Sequence, residues 1–300
     1  MPNFLPVLSL VFNAFVWGVS WWPFRRLHEA GLHPLWATAL MYALVLVGLL
    51  VLRPGVLRSA LQHPALWLLA LSSGLTNVAF NWAVTVGDVV RVVLLFYLMP
   101  AWSVLLAWRI LGERPTPLAL LRIVMALAGV ALVLLAPGVS ATRLLSNLSM
   151  ADGLALAGGL FFALTNVTLR RLHTVPSGAR MLAMFGGCAV MATLTASLGW
   201  VAGFVDSPPA PALPWLLVAL GLAGAFASGN YALQFGATRL AAGTTALIML
   251  SEVVFASGSS VLLTNATLQA HTLWGGGLIM LAALLAAVQN SRSSQPATAD

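Results

Sequence analysis

Long apolar runs alternate with short polar connections along the whole chain. Runs of spanning length fall at roughly 5–24, 35–52, 65–86, 89–110, 117–136, 151–169, 180–203, 214–236, 242–263 and 270–289. A bilayer core takes about 20 apolar residues per helix. The pattern therefore predicts an all-α, polytopic membrane protein of ten transmembrane helices. The longest connections, near 137–150 and 204–213, are rich in Pro, Gly and Ser and carry no charge run, so they leave no room for a soluble domain. The N-terminal MPNF lacks a basic leader and the first apolar run is long enough to span, which reads as a first transmembrane helix rather than a cleaved signal. The expected organisation is a first five-helix unit over 1–136, a linker over 137–150, a second five-helix unit over 151–289 and a polar, disordered tail over 290–300.

Composition agrees with the pattern. The chain is 60% hydrophobic and 7% charged, against about 25% charged residues in a soluble domain. All 14 basic residues are Arg, set against 7 acids. That excess invites a nucleic-acid reading, but the arginines stand singly or in pairs at the ends of apolar runs, where they anchor helices against lipid head groups. Membrane lipids are the expected partner and nucleic acid is not. With a cytoplasmic N-terminus, the inside collects Arg53, Arg58, Arg109, Arg114, Arg122, Arg170, Arg171, Arg180, Arg239 and Arg292, and the outside only Arg25, Arg26, Arg91 and Arg143. The positive-inside rule then puts both termini in the cytoplasm. Cys188 stands alone, and His28, His33, His63, His173 and His271 lie at loops or helix ends without metal-ligand spacing. Gly275 to Gly277 lacks the strand-turn-helix setting of a nucleotide fingerprint. No metal, cofactor or catalytic arrangement is expected.

The most specific feature is an internal repeat. FVWGVSWWPFRRLH at 15–28 returns as LFFALTNVTLRRLH at 160–173, and NVAFNWAVT from Asn77 returns as NYALQFGAT from Asn230. Five helices per copy is an odd number, so the second copy enters the membrane from the opposite side, as in inverted-repeat transporters. The repeat sets Asn77 against Asn230 and Asn81 against Gln234, each pair four apart on one helix face. Such amides serve either as interhelical glue or as a polar strip for substrate. Asn13, Trp17 and Ser20 share a face of the first helix, with Phe162 and Thr165 as repeat counterparts and Asn166 next in line. Trp21 and Trp22 read as an interfacial belt. Pro100, near the middle of the fourth span, frees a carbonyl that neighbours or a wet cavity must satisfy, and marks that helix as cavity-lining. Tyr97 and Trp102 flank it on different faces, and Tyr97 is the preferred cavity residue. Glu252 is the only carboxylate well inside a span and pairs by repeat with Pro100; it is either a proton-coupling or gating acid, or a structural, amide-paired one. Asp88, Glu113, Asp152 and Asp206 sit at helix ends and read as caps or solvated charges.

The residues WGVS at Trp17 to Ser20, LMPAWSVLLAWRILGERPT at Leu98 to Thr116, the following ALAGVALVL and YALQFGATRLAAG in the second half resemble the drug/metabolite transporter superfamily. The likeness is to ten-helix EamA-type exporters, and within them to YddG-like amino-acid exporters. The sequence departs from that pattern at SEVV, Ser251 to Val254, at Asn265, and at Met41 with Tyr42. The resemblance implies a bacterial inner-membrane exporter with a central cavity, working by alternating access, and LGERPT on a peripheral cytoplasmic hairpin. The cavity residues named above suit a small amphipathic metabolite, amino acids foremost. They suit a phosphate ester less well, since the arginines lie near span ends, with Arg91 and Arg122 the nearest exceptions. Protons are the candidate coupling partner. A drug exporter, a lipid-linked sugar flippase and a non-transporting scaffold are the alternatives.

Overall fold

The computed structural model describes residues 4–87, 89–134, 149–264 and 269–293. Every regular element among the described residues is a helix: α1 Leu5–Val19, α2 Trp21–Glu29, α3 Pro34–Leu52, α4 Gly55–Leu61, α5 Leu66–Val86, α6 Val89–Phe96, α7 Met99–Leu111, α8 Pro117–Leu134, α9 Met150–Arg171, α10 Ser177–Val201, α11 Leu213–Ala237, α12 Ala242–Met249, α13 Glu252–Thr264 and α14 Ala270–Ser293. Eight stretches of these are long and apolar enough to cross a membrane. The chain is thus a multi-pass membrane protein. Two of the ten expected spans do not reach that standard. α5 is long enough, but Ser72, Ser73, Thr76, Asn77, Asn81 and Thr85 dilute its hydropathy. α8 supplies only the shorter apolar stretch Pro117–Val133.

The hydroxyls of α5 fold back on their own helix: that of Thr76 donates to the Ser72 carbonyl at 2.8 Å and that of Ser73 to the Leu69 carbonyl at 2.7 Å. This hides hydroxyl protons from lipid, so a helix can tolerate them while packed among neighbours. α5 is so packed, chiefly against α9 and α10. α10 also packs on α3, α1 on α11 and α13, and α8 on α14.

As expected, Pro100 falls near the middle of the fourth span, Arg91–Leu111, and the helix is interrupted just before it. α6 stops at Phe96, Tyr97 and Leu98 form the break, and Pro100 is the second residue of α7, buried, where its missing N–H has no intrahelical partner to lose. The second half breaks in the same way without a proline: α12 stops at Met249, Leu250 and Ser251 intervene, and α13 starts at Glu252. The offset that relates Asn77 to Asn230 also relates Val89 to Ala242, Phe96 to Met249 and Leu111 to Thr264. On that register the counterpart of Glu252 is Met99, and Pro100 falls opposite Val253, one residue from the expected pairing.

Helix ends carry the remaining charges. α9 opens with a reciprocal capping box between Ser149 and Asp152, and Asp152 is also 2.6 Å from Arg91 Nε, so the expected cap is also an ion-pair partner. α7 ends on Gly112 in the left-handed region, φ 73°, a conformation that favours glycine. Glu113 then turns back toward the second half, accepting from the Ala242 N–H at 3.3 Å and lying 3.4 Å from Arg170 Nε. The LGERPT hairpin therefore ties the end of α7 to the start of α12 and the end of α9. α14 continues through Ser293, past Asn290 where the tail was expected to begin. Asp88, Arg143, Asn265, positions 137–148 of the linker and 294–300 of the tail lie outside the described residues.

Gly18 of the WGVS motif lets α1 cross the first turn of α13. A Cβ built there would stand 2.5 Å from the Glu252 carbonyl oxygen and 2.7 Å from Phe255 Cβ. Backbone cannot retreat as a flexible side chain does, so Gly18→Leu should destabilise by about 1–3 kcal/mol. Thermal unfolding in detergent checks this, and an unchanged midpoint would mean that the crossing is not tight.

Candidate functional site

A helix break exposes backbone donors and acceptors that a continuous helix would consume. The two breaks described above meet at one hydrogen bond: the Tyr97 hydroxyl donates to Glu252 Oε1 at 2.5 Å. Glu252 is the first residue of α13, where free N–H groups and the positive end of the helix dipole favour an anion. Among the described residues no cation forms an ion pair with this half-buried acid. Phe96 stands beside the bond, 6.1 Å from the Tyr97 ring, 4.8 Å from Phe80 and 5.9 Å from Phe162 between centroids. Gly158 and Gly159 on α9 leave room for Phe96 to pack there. Tyr97, Phe162 and Glu252, singled out separately in the sequence, belong to this one cluster; Pro100 abuts it from the start of α7.

The two amide pairs form two chains. On α5, Asn81 Nδ2 donates to Asn77 Oδ1 at 2.8 Å, and Asn77 Nδ2 donates to the Tyr42 hydroxyl of α3 at 2.8 Å. On α11, Gln234 Nε2 donates to Asn230 Oδ1 at 2.7 Å, and Gln234 Oε1 accepts from Arg180 Nε of α10 at 3.2 Å. The internal amide link is the same in both halves, while the anchor differs, a phenol in one and a guanidinium in the other. No hydrogen bond among the described residues joins the two chains directly. Tyr42 had drawn notice only as a departure from the family pattern, and Arg180 only as a membrane anchor. The signal for both was their position on the second span of each unit, one layer from the amide stripe.

A further set of polar atoms is sealed away from solvent. Asn13 Nδ2 reaches only the Met249 sulfur at 3.2 Å, a weak acceptor, and its Oδ1 has no partner. Asn166 is fully buried with neither amide atom bonded, and the hydroxyls of Ser103 and Thr245 are likewise buried and unpartnered. Asn13 and Asn166 are therefore interior rather than cavity-lining in this conformation. Trp17 is 39% exposed with its ring edge-on to Phe226, centroids 4.5 Å apart. The Ser20 hydroxyl donates to the Trp17 carbonyl at 2.7 Å, so its proton is committed to its own helix. Trp21 departs from the belt expectation: its indole N–H donates to Ser259 Oγ of α13 at 2.9 Å. Trp22 is 37% exposed and carries the Arg26 guanidinium 5.1 Å above its ring, as a belt residue does.

Removing the donor at the centre of the cluster should be costly. Tyr97→Phe leaves a half-buried carboxylate without its hydrogen bond, and a loss of about 1–3 kcal/mol is expected in detergent unfolding; equal stability of variant and wild type would mean that water replaces the phenol freely.

Three comparisons bear on this arrangement. A crystal structure of a protein 20% identical in sequence superposes with a TM-score of 0.74, covering 95% of this chain and 98% of its own length; at that identity the likeness carries the fold alone. No curated protein matches the chain. Residues 4–135 match the EamA-like transporter family, which points to a membrane transporter of small molecules rather than to an enzyme.

Proposed function

We propose that the protein is a secondary transporter that moves a small amphipathic metabolite, amino acids foremost, out of the cytoplasm by alternating access. Its two units would be inverted five-helix repeats, with both termini cytoplasmic and the chain in a bacterial inner membrane. The observation that carries this reading is the Tyr97–Glu252 hydrogen bond between two helix breaks at corresponding positions. Discontinuous helices of this kind are where transporters place substrate and coupling ions. The binding surface would comprise Tyr97, Phe162 and the chains Asn77–Asn81 and Asn230–Gln234, with Trp17 at the exposed edge of α1. Asn13, Ser20 and Asn166 would join it when the bundle rearranges.

Coupling follows from the chemistry of the pair. An ionised Glu252 accepts from Tyr97 and holds the two breaks together. A protonated carboxyl is itself a donor, which weakens the reason for the phenol to stay. Proton binding would thus loosen the contact between α6–α7 and α12–α13, and the breaks would act as hinges.

In proteoliposomes, Glu252→Gln should transport without acceleration by an imposed proton gradient, whereas Asn81→Ala and Trp17→Ala should lower the rate of labelled amino-acid movement about tenfold while keeping the gradient response. Unchanged gradient dependence in Glu252→Gln removes the coupling role. Wild-type rates in the other two remove those residues from the binding surface. A thermal-shift screen of amino acids, nucleosides and sugar phosphates ranks the substrate classes, since a ligand stabilises the folded state in proportion to its occupancy.

A further inference from the structure

Among the described residues, the buried cation Arg180 forms no ion pair with an acid. It lies in the first turn of α10 and is 6% exposed, at the end of a helix whose dipole disfavours positive charge. Its two hydrogen bonds go to neutral oxygens: Nε to Gln234 Oε1 at 3.2 Å, and Nη1 to the carbonyl of Leu172, the C-cap of α9, at 3.0 Å. The charged neighbour it has is another cation, Arg239, which bonds the Phe235 carbonyl and covers the Phe235 ring at 3.7 Å. Two less buried arginines are paired with acids, Arg91 with Asp152 and Arg170 with Glu113. Arg122 is equally buried but belongs to α8, which packs on α14, away from the amide chains.

A buried charge without a counter-charge is expensive to keep, and ionisable residues held inside a helical bundle commonly mark the path of a substrate or ion. The guanidinium has five N–H donors in a planar fork, and the two bonds above leave Nη2 unengaged. Nη2 is also not among the side-chain atoms sealed from solvent. It lies one hydrogen bond from Gln234 and two from Asn230, the second-half amide chain.

Resting on the transporter reading above, the geometry points to Arg180 as a subsite for the carboxylate of the transported solute, with Nη1 and Nη2 as its donors and Gln234 holding the guanidinium in register. One presented cation matches a monoanion. A phosphate dianion would call for a second, and Arg239 is turned onto its own helix. The substrate class is thus narrowed to monocarboxylates, α-amino acids included. The Arg-rich cytoplasmic end of α9, α10 and α11 then serves as the loading side.

The test compares solutes that differ only in the carboxylate. Phenylalanine, leucine and methionine are each measured against the corresponding amide, for binding to purified protein and for transport in proteoliposomes, in wild type, Arg180→Lys, Arg180→Gln and Gln234→Leu. Wild type should favour each acid over its amide tenfold or more. Arg180→Gln should abolish that preference while amide binding stays within twofold, and Arg180→Lys should keep part of it. Gln234→Leu, which removes the support but not the charge, should reduce it. A wild-type acid-to-amide ratio near one overturns the proposal, as does an equal loss of acid and amide in Arg180→Gln, which would make Arg180 only a cap for α9. Should Arg180→Gln not fold, the wild-type ratio together with Arg180→Lys decides. Transport of neutral solutes with no acid preference sinks the subsite and leaves the transporter reading standing; no movement of any solute sinks that reading as well.

Discussion

A single hydrogen bond between two interrupted helices is the constraint around which the second-half packing is arranged. Tyr97 and Glu252 occupy breaks that a continuous helix would not contain, and each break leaves backbone groups that must be met inside a medium without water. Gly18 brings α1 against the first turn of α13, Gly159 brings α9 against Phe96, and the Phe80–Phe96–Phe162 rings fill the space beside the phenol. The rings beside the phenol make the carboxylate's bond to Tyr97 matter, because among the described residues no cation pairs with Glu252.

The two amide chains share one spacing and end on two chemistries. Both keep the i, i+4 amide link that the helix period imposes. In the first unit the chain ends on the Tyr42 phenol, which can give or take a proton bond at little cost in the interior. In the second it ends on Arg180, a fixed positive charge.

Glu113 sets the relation between the units in a similarly local way. The left-handed Gly112 turns the chain so that its carboxylate meets an open helix N-terminus at Ala242 and the cation of Arg170. The residues of the family-like hairpin are therefore used at the seam between halves. Read as sequence they looked peripheral, because a hairpin between apolar runs carries no information about what packs beneath it.

The sequence by itself determined the class, the rough positions of the helices and the existence of paired polar positions. Those follow from run length, from the rarity of charge and from residue spacing, all of which are local. It also singled out Glu252 as a lone acid in an apolar run, Tyr97 as the neighbour of Pro100 and Phe162 as the repeat counterpart of Trp17. It placed Pro100 at the middle of a span, but composition does not say that the helix stops at Phe96 and restarts at Met99. The one-residue difference in its repeat partner has the same origin. Only the tertiary structure decided that Asn166 and Asn13 are sealed inside, that Trp21 is tied to Ser259, and that Arg180 is buried against Gln234 rather than held at a head group. Each of these depends on which side chain a helix meets on its neighbour, and that is fixed by packing across long sequence separation, where no periodicity in the chain can reach.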